Sequence, residues 1–357
     1  MKAAILNARE QALEIRDDVE LLELGANDVH VKLVASGVCH SDLSAQNGTL
    51  PSPLPCVLGH EGAGIVQEVG TAVQGVKAGD SVIASFTPAC GVCRRCLGGQ
   101  PFLCELMHST ASANRFRVGG EELVAFCGLG TFAEEMIVSA AAVVPVPSDI
   151  PLDIAALIGC GVTTGVGAAM WTAEVTPGSS VVVIGAGGVG IAAIQGARIA
   201  GAAEILAVDT VESKLDQAKH FGATHAVLPD DIESAVNEIT AGDGFDFALE
   251  CIGHPKTVRQ AYDMTRRGGT TVIVGMGRFA ESVSFNGFEL AYQAKTIKGS
   301  MFGSADVRTD FGKLLRLWRQ GKLDLEGMIS RRIGLADVND AFRAMEEGEV
   351  IRSVIDY

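Results

Sequence analysis

The chain has 357 residues, 48% of them hydrophobic, with 28 basic and 43 acidic side chains and a formal net charge of −15. That length can bury a sizeable core and suits two domains. The acid excess excludes broad binding to nucleic acid or to anionic membranes, because phosphate contacts need basic surface.

At the N-terminus, Lys2, Arg9, Glu10, Glu14 and Arg16 stand close together with no long apolar core, so no secretory signal is expected and a cytoplasmic location follows. Short β-like runs at 29–34, 64–69, 81–84 and 133–138 alternate with glycine turns up to about residue 150, predicting an irregular, mainly β domain. Three segments of the chain offer soft or borderline metal ligands beside glycine or short polar residues. They are Cys39-His40-Ser41-Asp42, Gly59-His60-Glu61-Gly62 and Gly159-Cys160-Gly161. Cys39, His60 and Cys160 are 21 and 100 residues apart, so only folding can unite them, and each taken alone reads equally well as a packed core residue. Taken as a set, two thiolates and one imidazole would hold zinc with a fourth position left for water or substrate.

Cys90, Cys93, Cys96 and Cys104 form a C-x2-C-x2-C-x7-C run in a segment punctuated by Pro88, Gly91, Gly98, Gly99 and Pro101. The run is too compact for a useful disulfide framework, and four thiolates make a closed tetrahedral zinc site that braces a loop. The alternative is a group of reduced, buried thiols. Cys56, Cys127 and Cys251 remain as free thiols of a reducing compartment.

From about residue 163 to 300 strands and helices alternate, with strands expected at 181–184, 204–208, 225–228, 246–251 and 271–275, the pattern of a doubly wound parallel sheet. The first strand leads into Gly185-Ala186-Gly187-Gly188-Val189-Gly190, a G-x-G-x-x-G turn, followed by an alanine-rich helix. A second strand then ends at Asp209, 19 residues beyond Gly190. Glycines permit the tight turn and close approach of backbone to pyrophosphate, the helix N-terminus faces the phosphates, and the acid accepts the ribose hydroxyls. An acid there repels a 2′-phosphate, so NAD is expected over NADP. Residues 179–197 carry no charge over 19 positions, near the length of a membrane span, but five glycines and the change of period within them point to a buried βαβ unit. Helical stretches at 311–320 and 337–347 are expected to return to the first domain, and no repeat or low-complexity tail is seen.

Over nearly its full length this order of motifs resembles the zinc-dependent medium-chain alcohol dehydrogenases, with Ile351-Arg352-Ser353 as the last matching element. The resemblance implies an α/β protein with a GroES-like, mainly β catalytic domain (1–161 and 302–357), a Rossmann domain binding NAD (162–301) and an active site in the cleft between them. It makes Cys39, His60 and Cys160 ligands of a catalytic zinc, and Cys90, Cys93, Cys96 and Cys104 ligands of a structural zinc. Asp209 and Lys214 would bind the adenosine ribose, with His40 and Arg352 facing the pyrophosphate. Read without the resemblance, Lys214 and Arg352 are solvated helix surface. Ser41 would accept the hydroxyl proton of the substrate and pass it on. Ser44 stands where the relay usually ends in a histidine, leaving water to finish it. Ser41 reads alternatively as the cap of a helix beginning at Asp42. Asp42 and Glu61 are candidates to orient the ligands, Asp42 alternatively favouring a helix first turn by its charge alone.

Leu50, Phe86, Phe126, Met276 and Met301 would form an apolar substrate wall suited to primary aliphatic or aromatic alcohols and their aldehydes. All five read equally well as ordinary core. A related thiol-adduct formaldehyde dehydrogenase uses an acid and an arginine where Leu50 and His108 stand, which argues against glutathione and leaves another thiol carrier open. A nicotinoprotein with retained NAD and an external acceptor would share the same motifs, as would a noncatalytic zinc and nucleotide sensor. The long segment between Cys104 and Cys160 resembles that of dimeric members, so a homodimer is expected, with a small-molecule alcohol or aldehyde as substrate.

Overall fold

The computed structural model describes all 357 residues, and its chain separates into two compact units. The first comprises Met1–Cys160, Asp306–Arg319 and Leu325–Tyr357, and the second Gly161–Ala305 with Gln320–Asp324.

The first unit carries two sheets. In the larger, the order is Val143–Val146, Ser81–Ala84, Glu61–Val69, Asp28–Val38, Arg352–Asp356 and Ile329–Ile333, with Glu135–Ser139 also paired to the long strand Asp28–Val38. Alternation along Asp28–Val38 buries Val29, Val31 and Leu33 against Val66, Val82, Met136 and Val138, leaving Lys32 and Val34 exposed, as a strand with one face on a core requires. Two register shifts bend the pairing of Asp28–Val38 with Glu61–Val69, and beyond them Gly37 lies opposite Glu61. This register brings the end of one strand, at Val38, beside the start of the next, at Glu61. The smaller sheet is built from short strands, among them Ala3–Leu6, Asn114–Val118 and Glu121–Ala125. Two of the helices, Val307–Arg319 and Val338–Glu346, fall in the first unit. The former starts four residues earlier than the apolar periodicity alone suggested.

The second unit is a six-stranded, wholly parallel sheet. Its order is His225–Val227, Glu204–Val208, Ser180–Ile184, Phe245–Glu250, Thr265–Ile273 and Thr296–Gly299, the 3-2-1-4-5-6 arrangement of a dinucleotide-binding fold. Val182, Ile184, Leu206, Phe245 and Ala248 make its centre, packed against Ala261 and Met264 of the helix Pro255–Met264. Such apolar, β-branched strands, covered on both faces by helices, are what parallel pairing demands. The uncharged stretch around the glycine turn is thus the strand Ser180–Ile184 and the helix Gly188–Ala200. No single helix in the chain is long and apolar enough to cross a membrane. Thr265–Ile273 begins six residues before the strand expected there. Gly268 and Gly269 had masked its first half, and the pairing accommodates them by a shift of register between Phe245 and Phe247.

Candidate functional site: two cysteine clusters and a glycine turn

The helix His40–Gln46 opens directly after the long strand, with Cys39 in the extended conformation of an N-cap. This rules out the alternative reading in which Ser41 caps a helix beginning at Asp42. The carboxylate of Asp42, three residues beyond Cys39, accepts the Cys39 backbone N–H at 3.1 Å and so fixes the start two residues earlier. Ser41 is half-buried and free of that duty, His40 is exposed, and Ser44 is half-buried on the same helix.

Asp42 is wholly buried and serves the next segment as well. Its Oδ1 accepts the Gly59 N–H at 3.1 Å and lies 2.8 Å from Nδ1 of His60. Burial works against charge on His60, but Asp42 and the sulfur of Cys39 outweigh it and lift the imidazole well above its usual pKa. Independently of that shift, the 2.8 Å contact sets Nδ1 against Asp42 and turns Nε2 the other way.

That Nε2 is buried with no hydrogen-bond partner in the protein. Around it, one donor atom from each of Cys39, His60, Glu61 and Cys160 lies within 4.8 Å of every other, all four residues being buried. An orphaned ring nitrogen facing two sulfurs is expensive in a protein interior unless a cation satisfies it. The donor set therefore fits a zinc ion, with Cys39 held well below the usual thiol range by Cys160 and, against the cost of burial, by Arg352 and His60.

Glu61 also reaches Arg352, Oε1 to Nη2 at 3.0 Å, and Arg352 donates to the Val38 carbonyl at 3.2 Å. At 3% exposure on the strand Arg352–Asp356, Arg352 is not the solvated helix residue that its sequence neighbours allowed. The contact depends on Gly37, where a Cβ would stand 2.1 Å from Oε2 of Glu61. This buried Glu61–Arg352 pair beside the sulfurs went unforeseen, since its members are far apart in sequence and only strand register joins them.

Cys90, Cys93, Cys96 and Cys104 also converge within 4.8 Å, with Sγ–Sγ separations of 3.9 Å for Cys90–Cys96 and for Cys93–Cys104. A tetrahedron with metal–sulfur bonds of about 2.3 Å has edges of about 3.8 Å. Backbone N–H groups of Cys96 and Glu105 hold Cys93 at about 6, while burial pushes Cys96 up to about 12. Four such sulfurs ionise side by side only around a cation. All nine cysteines are unbridged.

Leu50, Phe86 and Phe126 belong to the first unit. Phe86 and Phe126 stand edge-on to the His60 ring at centroid separations of 5.9 and 5.6 Å, and Leu50 packs on the core cluster that contains Phe126. Met276 and Met301 belong to the second unit, and Met276, at 65% exposure, is not core.

In the second unit, Gly190 sits so close to the turn that a Cβ there would be 1.7 Å from the Gly185 carbonyl oxygen. This approach lets the helix Gly188–Ala200 start immediately after Gly185 and Gly187, with Val189 in its first turn. Asp209, at the end of Glu204–Val208, accepts the Ala186 N–H at 2.8 Å and the Val211 N–H at 3.0 Å, placing its carboxylate at the mouth of the glycine turn. Lys214 is half-buried on the helix Glu212–His220, which follows Asp209.

Two family models match the chain: an alcohol dehydrogenase GroES-like domain over residues 25–148 and a zinc-binding dehydrogenase over residues 188–319. The NDMA-dependent alcohol dehydrogenase of Amycolatopsis methanolica is 39% identical, the match covering 99% of this chain and 98% of that one. The S-(hydroxymethyl)glutathione dehydrogenase of Paracoccus denitrificans is 38% identical, over 97% of this chain and 98% of its own. Among solved structures, benzyl alcohol dehydrogenase from Acinetobacter calcoaceticus superposes with a TM-score of 0.92 at 32% identity, covering 99% of this chain and 98% of that one.

Proposed function

We propose, from the premise that this chain belongs to the zinc-dependent medium-chain alcohol dehydrogenase family, that it interconverts primary aliphatic or aromatic alcohols and their aldehydes with NAD as hydride carrier. The observation that carries this reading is the orphaned Nε2 of His60 among Cys39, Cys160 and Glu61. In it residues 1–161 and 302–357 form the catalytic domain and 162–301 the NAD-binding domain.

When bound, zinc supplies a Lewis acid that lowers the pKa of the alcohol hydroxyl, and NAD supplies the hydride acceptor. The protein does the rest. Cys39, His60 and Cys160 hold the catalytic ion, and Asp42 keeps the His60 proton on Nδ1 so that Nε2 stays available. Glu61, paired with Arg352, balances charge beside the sulfurs. Ser41 takes the hydroxyl proton and hands it on, with Ser44 leaving the last transfer to water. Phe86 and Phe126 set apolar edges around His60 and exclude water, with Leu50 behind Phe126. By the family resemblance Met276 and Met301 also contribute to substrate binding. The Gly185–Gly190 turn receives the pyrophosphate with His40 and Arg352, and Asp209 and Lys214 take the adenosine ribose. Cys90, Cys93, Cys96 and Cys104 hold the structural ion.

The test is NADH absorbance across primary, secondary, allylic and benzylic alcohols, with metal analysis of the same preparation. Zinc-dependent NADH formation with primary or benzylic alcohols supports the assignment, and turnover that persists after zinc is stripped overturns it.

A second reading has one observation in its favour, the NDMA dependence in the name of the Amycolatopsis methanolica relative. In that reading NAD stays bound and an external acceptor regenerates it. Gel filtration, denaturation and cofactor assay separate the two, since stoichiometric retained NAD(H) marks the nicotinoprotein.

The protein acts as a cytoplasmic homodimer in this reading. Support comes from the edge strand Thr296–Gly299, paired only with Thr265–Ile273, and from the exposed aromatic rings of Phe279, Phe288 and Tyr292 in the segment before it. Light scattering tests the stoichiometry, a monomer being the contrary result.

A further inference from the structure

The sheet of the second unit reverses its order between Ser180–Ile184 and Phe245–Glu250, and a crevice at the carboxyl ends of such a strand pair is where ligands of this fold bind. The turn Cys251-Ile252-Gly253 leaves the sheet at that carboxyl end. It is held from beneath by Glu250, the last residue of its strand and 0% exposed.

The Glu250 side chain makes a dense set of contacts for a single carboxylate. Oε1 accepts the Ile252 N–H at 3.0 Å, the Gly253 N–H at 2.8 Å and the Thr257 hydroxyl at 2.7 Å, and Oε2 shares the Gly253 N–H at 3.0 Å. Burial pushes this carboxyl up, and the hydrogen bonds from Thr257, Gly253 and Ile252 oppose it. The Ile252 and Gly253 N–H groups can only donate, whereas the Thr257 hydroxyl, also 2.9 Å from the His254 carbonyl, can donate or accept, so it is the two backbone donors that the carboxylate clamps.

The clamped turn is packed tightly on both sides. A Cβ on Gly185, the first glycine of the pyrophosphate turn, would stand 2.7 Å from Cγ1 of Ile252, and one on Gly277 would stand 1.9 Å from the Gly253 carbonyl oxygen. Ile252 nevertheless keeps 48% of its surface exposed. That leaves a large apolar side chain half open beside the glycine turn, on a backbone pinned by a buried acid.

We propose that Glu250 is a positioning residue for the dinucleotide: its carboxylate fixes the Ile252–Gly253 backbone so that Ile252 presents an apolar face to the bound cofactor at the sheet crossover. The inference rests on the NAD-binding reading of this unit, and deepens it by assigning part of the affinity to a residue that does not touch the ligand.

The test is NADH binding by fluorescence titration of the zinc-loaded protein, with far-UV circular dichroism as the check on folding. Wild type is measured first, and failure of wild type to bind NADH contradicts the NAD reading itself, whatever the variants do. Glu250→Gln keeps the shape but aims an amide N–H2 at backbone donors. It is expected to weaken NADH binding about tenfold and raise KM for NAD in step, leaving KM for the alcohol unchanged. Glu250→Asp, which keeps the charge on a shorter arm, should recover part of the loss. Ile252→Ala, which leaves the clamp intact, should weaken NADH binding severalfold, and this arm decides the matter if Glu250→Gln does not fold. NADH affinity within twofold of wild type in folded Glu250→Gln, or in Ile252→Ala, would overturn the proposal.

Discussion

Replacing Asp42 by asparagine tests the architecture around His60 with a change of one atom. The carboxylate accepts from Cys39 N–H, Gly59 N–H and His60 Nδ1 while fully buried. If the asparagine oxygen takes the Oδ1 position, two of these bonds survive, and its N–H2 is then pressed against the Cys39 N–H. A flipped amide opposes both Gly59 and His60 and is worse. The better arrangement still loses a charged acceptor and leaves a buried donor unmet, a cost of about 1–3 kcal/mol. Because the same group holds the His60 tautomer, that cost should fall mainly on the metal, as a drop of about 10–100-fold in zinc affinity and in kcat/KM. Chelator competition with zinc counted per subunit reads it directly: one ion should leave the variant at chelator concentrations that wild type withstands, while the other stays. A variant that retains both ions and full kcat/KM at the same chelator concentration would refute the reasoning.

Other expectations follow from the same geometry. Cys90→Ser should cost one zinc per subunit and open the 88–104 loop to protease while its cognate cluster at Cys39 stays loaded, as metal counting with limited proteolysis would show. Gly37→Ala would drive a Cβ into Glu61, 2.1 Å from its Oε2, and should lower stability by roughly 1–3 kcal/mol, with loss of activity beyond that of a surface Gly→Ala control. For Asp246, burial raises the carboxyl pKa, but hydrogen bonds from the Ser180 N–H, Arg266 and the Ser180 hydroxyl together outweigh it, leaving it below the usual range. A depressed folded-state pKa adds stability above the unfolded value, near about pH 4, and that stability is lost as pH falls through the folded value. Asp246→Asn should therefore lower the urea midpoint at neutral pH and flatten its fall in acid, whereas a parallel shift at every pH would contradict the assignment.

How much of this was legible from sequence depended on distance along the chain. The lobe at 90–104 and the turn at 185–190 are local, their spacing being itself the geometry, and Asp209 needed only the next strand to arrive at the turn. Cys39, His60 and Cys160 could be read as a ligand set by type and family order, yet what unites Cys39 with His60 is the register that sets Gly37 opposite Glu61. The alternative helix start at Asp42 fails because two acceptors compete for the first turn. Ser41 has the favoured capping side chain, but Asp42 reaches both Cys39 and His60, and the tertiary contact decides. Arg352 was indistinguishable from a surface arginine because its partner Glu61 lies on another strand of the sheet, with Asp28–Val38 between them. Nothing within the strand expected at 246–251 singles out Glu250. Its signal was an acid followed two residues later by Ile252-Gly253, just where the sheet reverses its order, and that reversal is a property of strand order alone.

The central claim is that Cys39, His60 and Cys160 grip one metal ion on which turnover depends. It is tested most directly by metal content and NADH formation measured together on wild type and Cys160→Ser. Two zinc ions per subunit in wild type, one in the variant, and loss of turnover with that ion are the expected results. An unchanged metal count in the folded variant, or undiminished NADH formation after the ion is gone, would contradict the account.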